Sequence, residues 1–140
     1  MMARDVTHRM ILLETMGICL LVELGTKLLP FQLFWNLLNR IPIASERRSS
    51  PPDEALAEIP QLCEKALTRL PWHISCLKKT LTLFVLLRRC GIRGDLRIGM
   101  AKDRDSLRAH SWLEHGGEIV GDIPCAVEEF SVSFLLRSKP

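Results

Sequence analysis

The period of the hydrophobic residues changes once along this chain, at Cys90-Gly91. Before it, apolar side chains recur at three- and four-residue spacing; after it, Leu96, Ile98 and Met100 alternate with Arg97, Gly99 and Ala101. The first pattern lines one side of a helix, and the second lines one face of a strand. Helices therefore come first and an antiparallel sheet second, an α+β layout. At 140 residues the chain suffices for one core.

Two N-terminal helices are predicted over about 8–28 and 31–40, apolar on more than one face and so either buried or awaiting a partner. Charge argues against a membrane span. Glu14, Glu23 and Lys27 leave uncharged runs of only eight residues (15–22) and twelve (28–39), short of the roughly 18–20 that cross a bilayer, and Pro30 interrupts the stretch. A signal peptide is disfavoured as well, because Asp5 and Glu14 flank the apolar run and no small-x-small site follows. The Pro/Ser-rich segment from Ala44 to Asp53 reads as a mobile connection and a site for proteolytic nicking. It divides an apolar helical extension (1–45) and a linker (46–52) from a domain over 53–140.

A helix opening at Pro52 or Asp53 aligns Leu56, Ile59, Leu62, Ala66, Leu67 and Leu70, with a kink expected at Pro60 and a stop at Pro71-Trp72. Ser75 is the predicted N-cap of the central buried helix, Cys76 to Arg89, and Cys90-Gly91 its stop. A strand through Leu96 to Met100, a turn over 103–106, a hairpin of 108–114 and 118–122 about Gly116-Gly117, and a last strand through Phe130, Val132 and Phe134 complete the chain.

Nineteen Lys and Arg against sixteen Asp and Glu give a net charge of +3, too small and too evenly spread for a nucleic-acid footprint. Five cysteines, at 19, 63, 76, 90 and 125, form no C-x-x-C pair. Neither a disulfide framework nor a zinc site is favoured, and a reducing cytoplasm fits best. Cys63, Cys90 and Cys125 read as small core residues, His115 as an exposed turn residue, and Arg47-Arg48 and Arg88-Arg89 as solvated faces.

Cys76, His110 and Asp122 are the residues whose order and setting point to chemistry. A thiol in the first turn of a helix meets the positive end of the macrodipole and unpaired N–H groups, so its thiolate is favoured, with Lys78 and Lys79 adding to the effect. The Cys76 backbone N–H offers one oxyanion donor; Trp72 Nε1 is a candidate for the second, with His73 and Ser75 as alternatives. Taken singly, each triad residue has a plainer reading: a buried thiol, a solvated imidazole, a turn aspartate. Together they require a particular hairpin register. A two-residue turn at Gly116-Gly117 pairs 115 with 118, sets Asp122 opposite Ser111 and aims its carboxylate away from His110. A three-residue loop over 115–117 pairs 114 with 118 and sets Asp122 opposite His110. The triad therefore predicts an odd-length loop or an equivalent bulge.

The segments Leu70-Pro71-Trp72, Cys76-Leu77, Leu87-Arg88-Arg89-Cys90-Gly91-Ile92, Leu96-Arg97-Ile98-Gly99, Ala109-His110-Ser111-Trp112-Leu113-Glu114 and Gly121-Asp122 resemble the transglutaminase-like cysteine proteases of lasso peptide biosynthesis. The similarity covers about residues 53–125, and the helices around Leu29-Pro30-Phe31 look like the extension those proteins carry. The resemblance implies a transglutaminase-like or papain-like fold, no cofactor or metal, and a peptidase that removes the leader of a ribosomally made precursor before an asparagine-synthetase-like cyclase closes the ring. Cys76 would be the nucleophile, His110 the general base and then acid, and Asp122 its orienting partner. It also implies a RiPP recognition element to hold the leader, here expected as a separate chain because no winged-helix-like domain precedes the protease. Ser111 stands where alanine is common, and Pro60 interrupts a helix usually free of proline.

On this reading the N-terminal helices either dock the recognition protein, the cyclase or a membrane-bound exporter, or complete the core. The runner-up is a catalytically silent scaffold of the same fold, which the reactivity of Cys76 would discriminate. A transferase, with an amine replacing water, is the third reading.

Overall fold

The computed structural model describes residues 2–43, 52–122 and 127–139. Among them lie helices α1 (Met2–Leu28), α2 (Phe31–Leu38), α3 (Pro52–Leu67) and α4 (Cys76–Arg89), then strands β1 (Asp95–Asp103), β2 (Ser106–His115), β3 (Glu118–Val120) and β4 (Ser131–Leu136). The strands form one sheet in the order β3-β2-β1-β4, every neighbouring pair antiparallel. The α+β layout read from the change of period is the observed one. The expected linker (46–52), apart from Pro52 in α3, and Arg47, Arg48 and Cys125 lie outside the described residues.

Local chemistry sets both ends of α4. Ser75 is extended (φ −67°, ψ 158°) and its hydroxyl accepts the backbone N–H of Lys78 at 3.4 Å. At the other end Gly91 is left-handed (φ 81°), Ile92 N–H reaches Leu87 O at 2.8 Å and Gly91 N–H reaches Arg88 O at 3.1 Å. That pair of bonds is the Schellman closure. Between the caps, Thr80 to Arg88 are all buried, so α4 is the axis of the core. Phe34 and Trp35 of α2 cover it, with the Trp35 and Phe84 rings 4.7 Å apart, while Leu96, Leu113 and Val120 close it from the sheet.

The inner face of α1, with Thr15, Ile18, Cys19 and Val22, is buried in this same core. Its other face is not covered. Met10, Leu13, Leu20, Leu21, Leu24 and Leu28 are exposed, and Leu33 and Leu37 of α2 join them. The helices thus complete the core and still present an apolar stripe. No helix among the described residues is long and apolar enough to cross a membrane.

Arg88 departs from the reading of Arg88-Arg89 as a solvated face. Arg89 does reach outward, to Glu14 at 2.8 Å, but Arg88 is only 1% exposed. Its guanidinium donates to Ile41 O (2.5 Å), Asn39 O (2.7 Å), Lys139 O (2.7 Å) and Ser138 Oγ (2.9 Å). The charge is thus held by neutral acceptors from both ends of the chain, tying the end of α2 to the C-terminal segment. Arg88→Ala strands these acceptors, and a fold loss of about 3 kcal/mol is expected. A thermal melt checks this; Arg88→Lys should recover little of it, because an ammonium cannot reproduce the fork.

The hairpin register is also not the predicted one. His115 pairs with Glu118, Glu114 with Ile119 and Leu113 with Val120. Gly116 and Gly117 both have positive φ (59° and 83°), as a two-residue type I′ turn requires. The odd-length loop is therefore wrong: two left-handed glycines match the twist of the flanking strands and need no third residue.

Candidate active site

Cys76 is the first residue of α4 and is half-buried. It lines an open cleft of about 150 Å³ between α3, α4 and β2, whose walls also include Pro60, Leu83, His110, Trp112 and Asp122. The N–H groups of a first helical turn lack intrahelical acceptors. Ser75 Oγ takes one of them, that of Lys78.

His110 lies in β2 beyond the last residue that β3 pairs, Leu113. Its Nε2 is 2.5 Å from Asp122 Oδ2. A carboxylate only accepts, so Nε2 carries the proton of a neutral ring and Nδ1 is the basic nitrogen. The ring is flanked by Phe130 (centroids 5.3 Å) and Trp112 (6.0 Å, stacked). Trp112 is in turn held by its Nε1–H to Glu114 Oε1 at 3.1 Å, and Glu114 Oε2 accepts Arg97 Nε–H at 2.8 Å. The imidazole thus sits between two rings with its carboxylate fixed at one edge.

Asp122 reaches His110 although the even register should have sent it to the other face. The reason is Gly121. β3 ends at Val120, and Gly121 takes φ +73°, which breaks the two-residue alternation before Asp122 is reached. A Cβ at this glycine would lie 2.6 Å from Leu83 Cδ2 and 3.4 Å from Pro60 Cβ, so the chain passes closely over α3 and α4 as it turns. Pairing rules apply to Asp122 only if the strand includes it, and it does not.

Lys78 and Lys79 do not act as unopposed charges beside the thiol. Lys78 Nζ is 2.8 Å from Glu23 Oε1, and Lys79 Nζ is 2.7 Å from Glu64 Oε2. The expected contribution of both to thiolate formation is therefore offset by carboxylates from α1 and α3. Lys78, and then Lys27, hold the Glu23 carboxyl below the usual carboxylate range. Trp72 is 40% exposed and is not among the residues lining the cleft; His73 and Ser75 are also exposed and absent from its walls. The cleft brings together Cys76, His110 and Asp122, and leaves Trp72 outside.

Cys63 of α3 also lines the cleft, but burial pushes its thiol up to about 12. Burial likewise raises Cys19. Both remain protonated thiols near neutral pH, poor nucleophiles beside a thiol that has a base in its cleft. Among the described residues, no three His, Cys, Asp or Glu side chains are grouped to hold a metal ion.

A helix-borne thiol and a strand-borne imidazole with its carboxylate share one cleft, in an α+β chain that turns from helices to sheet at Gly91. The family model for the transglutaminase-like superfamily matches residues 22–135. The chain belongs to the transglutaminase-like superfamily. The match takes in the last two turns of α1, all of α2, α3, α4 and β1 to β3, and β4 up to its penultimate residue. No curated protein and no solved structure matches the chain. Superfamily membership supports chemistry of the cysteine protease or acyltransferase type, and a general peptidase-type role.

Thr80 is not among the residues whose sequence setting points to function, and Gly121 stands among them only as the neighbour of Asp122. Thr80 had a legible signal, since it lies four residues after Cys76 and so on the same face of the helix. Its partner on β2, 31 residues away, had none.

Proposed function

We propose that the protein is a cysteine peptidase that removes the leader from a lasso peptide precursor. The observation that carries this reading is the His110–Asp122 pair in the cleft that Cys76 lines from a helix start. The resemblance of its motifs over about residues 53–125 to the lasso leader peptidases supports the substrate class. Cys76 Sγ attacks the scissile carbonyl carbon as its proton passes to His110 Nδ1, and the oxyanion forms near the Cys76 N–H. Collapse breaks the C–N bond, with His110 returning the proton to the leaving amine. Water then attacks the thioester, His110 takes its proton, and the acid departs as the thiol is restored. Asp122 holds the Nε2–H throughout and stabilises the imidazolium.

The proposed setting is the cytoplasm, with a separate RiPP recognition element delivering the leader and the asparagine-synthetase-like cyclase receiving the product. The apolar stripe of α1 and α2 is the proposed docking face for the recognition protein. Leu13 and Leu24 are 70% and 57% exposed, so Leu13→Glu and Leu24→Glu are expected to keep the fold and weaken that association at least about tenfold. Calorimetric titration reads the effect, and unchanged affinity in both variants would rule the stripe out.

The deciding assay incubates the protein with a candidate precursor, with and without the recognition protein, and reads product masses. A leader fragment and a core fragment that together exceed the precursor by one water are expected. An amine adduct in place of the water would show a transferase. An intact precursor in the presence of the recognition protein would overturn the reading in favour of a scaffold.

A further inference from the structure

We infer that Thr80 is a positioning residue that sets the Cys76 thiol against the His110 imidazole, acting through a buried hydroxyl pair with Ser111; this rests on the peptidase reading above. Thr80 is 7% exposed and Ser111 is 4% exposed. Thr80 Oγ1 lies 2.7 Å from Cys76 O, 3.1 Å from Ser111 O and 3.2 Å from Ser111 Oγ. A hydroxyl has one proton to give and two lone pairs to receive. The shortest contact takes the Thr80 proton to Cys76 O, with Ser111 O beside it as a second acceptor, and Ser111 Oγ–H then donates to Thr80 Oγ1. One buried oxygen thus binds the main chain of the nucleophile and the residue adjoining the base.

Other threonines of this chain show what is particular to the arrangement. Thr15 and Thr26 each bond the carbonyl four residues back, to Ile11 and Val22. Such back-bonding is local and adjusts only the helix that contains it. At Thr80 the same bond extends across to β2. Ser111 and Leu113 share one face of β2 by its two-residue period, and Leu113 is in the core, so Ser111 enters from the α4 side. His110 is the next residue along, and any slide of α4 against β2 changes the separation of the thiol from the ring.

The hydroxyl pair matters more to geometry than to stability. A buried polar pair of this kind contributes only about 1 kcal/mol net to a fold. Misplacing reacting groups by about 1 Å can cost about 100-fold in rate. Removing the hydroxyl should therefore register more strongly in turnover than in melting.

The test uses the full chain and a small neutral alkylating reagent, iodoacetamide, with labelling located at Cys76 by peptide mass. Other ionisable groups around this thiol are His110 and Asp122 on the sheet side, Cys63 and the Lys79–Glu64 pair toward α3, and Lys78 bridged to Glu23 of α1. In the wild type, Cys76 labelling near neutral pH should be faster than in His110→Ala, whose thiol has lost its base. Thr80→Val, which keeps the shape and loses the hydroxyl, is expected to cut that labelling about tenfold and kcat for leader cleavage by about 10- to 100-fold, with KM within about twofold. Thr80→Ser, which restores the hydroxyl, should return both. Ser111→Ala should slow labelling partway, and it serves as the test if Thr80→Val does not fold. Labelling and kcat at the wild-type level in Thr80→Val or, failing that, Ser111→Ala overturn the positioning role alone. A wild-type labelling rate equal to that of His110→Ala removes the peptidase reading and this inference with it.

Discussion

Cys76→Ala is expected to abolish leader cleavage, with a loss of at least about 10⁴-fold and no change in the melting temperature beyond about 3 °C. The size follows from the route: without the sulfur there is no thioester, and only binding and the oxyanion donor remain to assist water. The other thiol of the cleft among the described residues cannot substitute. Cys63 is 4% exposed, and its thiol is raised to about 12 by burial. Cys63→Ala is accordingly expected to retain activity within about threefold, and so is Cys125→Ala. His110→Ala should approach the Cys76→Ala rate, because the thiol loses its base and the leaving amine its acid. Single-turnover assays with the precursor and recognition protein measure all four variants. Retained turnover in Cys76→Ala would remove the covalent mechanism, whatever the other three show.

Both ends of α4 were legible because capping is local. Ser75 and Gly91 act on groups within five residues, and their chemistry can be read without the rest of the molecule. The change of period carried the fold class for the same reason. Arg88 was not legible. Its acceptors lie 47 to 51 residues away, on segments whose approach to α4 no local pattern encodes. The two lysines beside Cys76 were misjudged in the same way, since the carboxylates that offset them come from α1 and α3.

The candidate site shows a subtler limit. Order and setting point to its three residues, and the expected odd-length loop assumed that the hairpin register alone decides the His110–Asp122 relation. The premise that failed was strand continuity as far as Asp122. Gly-Asp before Ile-Pro is itself a turn signal, and taken at face value it ends the strand two residues earlier, at Val120. Pairing arithmetic then no longer governs the aspartate. The two left-handed glycines of the turn and the third at 121 do different work: the first two fix an even register, and the last cancels its consequence.

That division makes Gly121 a position outside the triad where one methyl group should be felt directly in turnover. Gly121→Ala places an L side chain at φ +73°, a backbone cost of about 1–2 kcal/mol, and sets its Cβ 2.6 Å from Leu83 Cδ2 on the buried side of α4. Leu83 is 7% exposed, so the strain is most readily relieved by moving the chain at 121. Asp122 would move with it, away from its 2.5 Å contact with His110. A drop in kcat of about 100-fold is expected, together with a loss of about 2 kcal/mol in stability. Gly116→Ala provides the control: its φ is +59° with nothing within 4 Å of the added Cβ, so it should share the backbone cost and leave turnover unchanged. If Gly121 acts through the aspartate, the effects cannot add. Gly121→Ala in an Asp122→Ala background should be no slower than Asp122→Ala alone, and multiplicative losses in that double-mutant cycle would show that the glycine serves the fold instead of the triad.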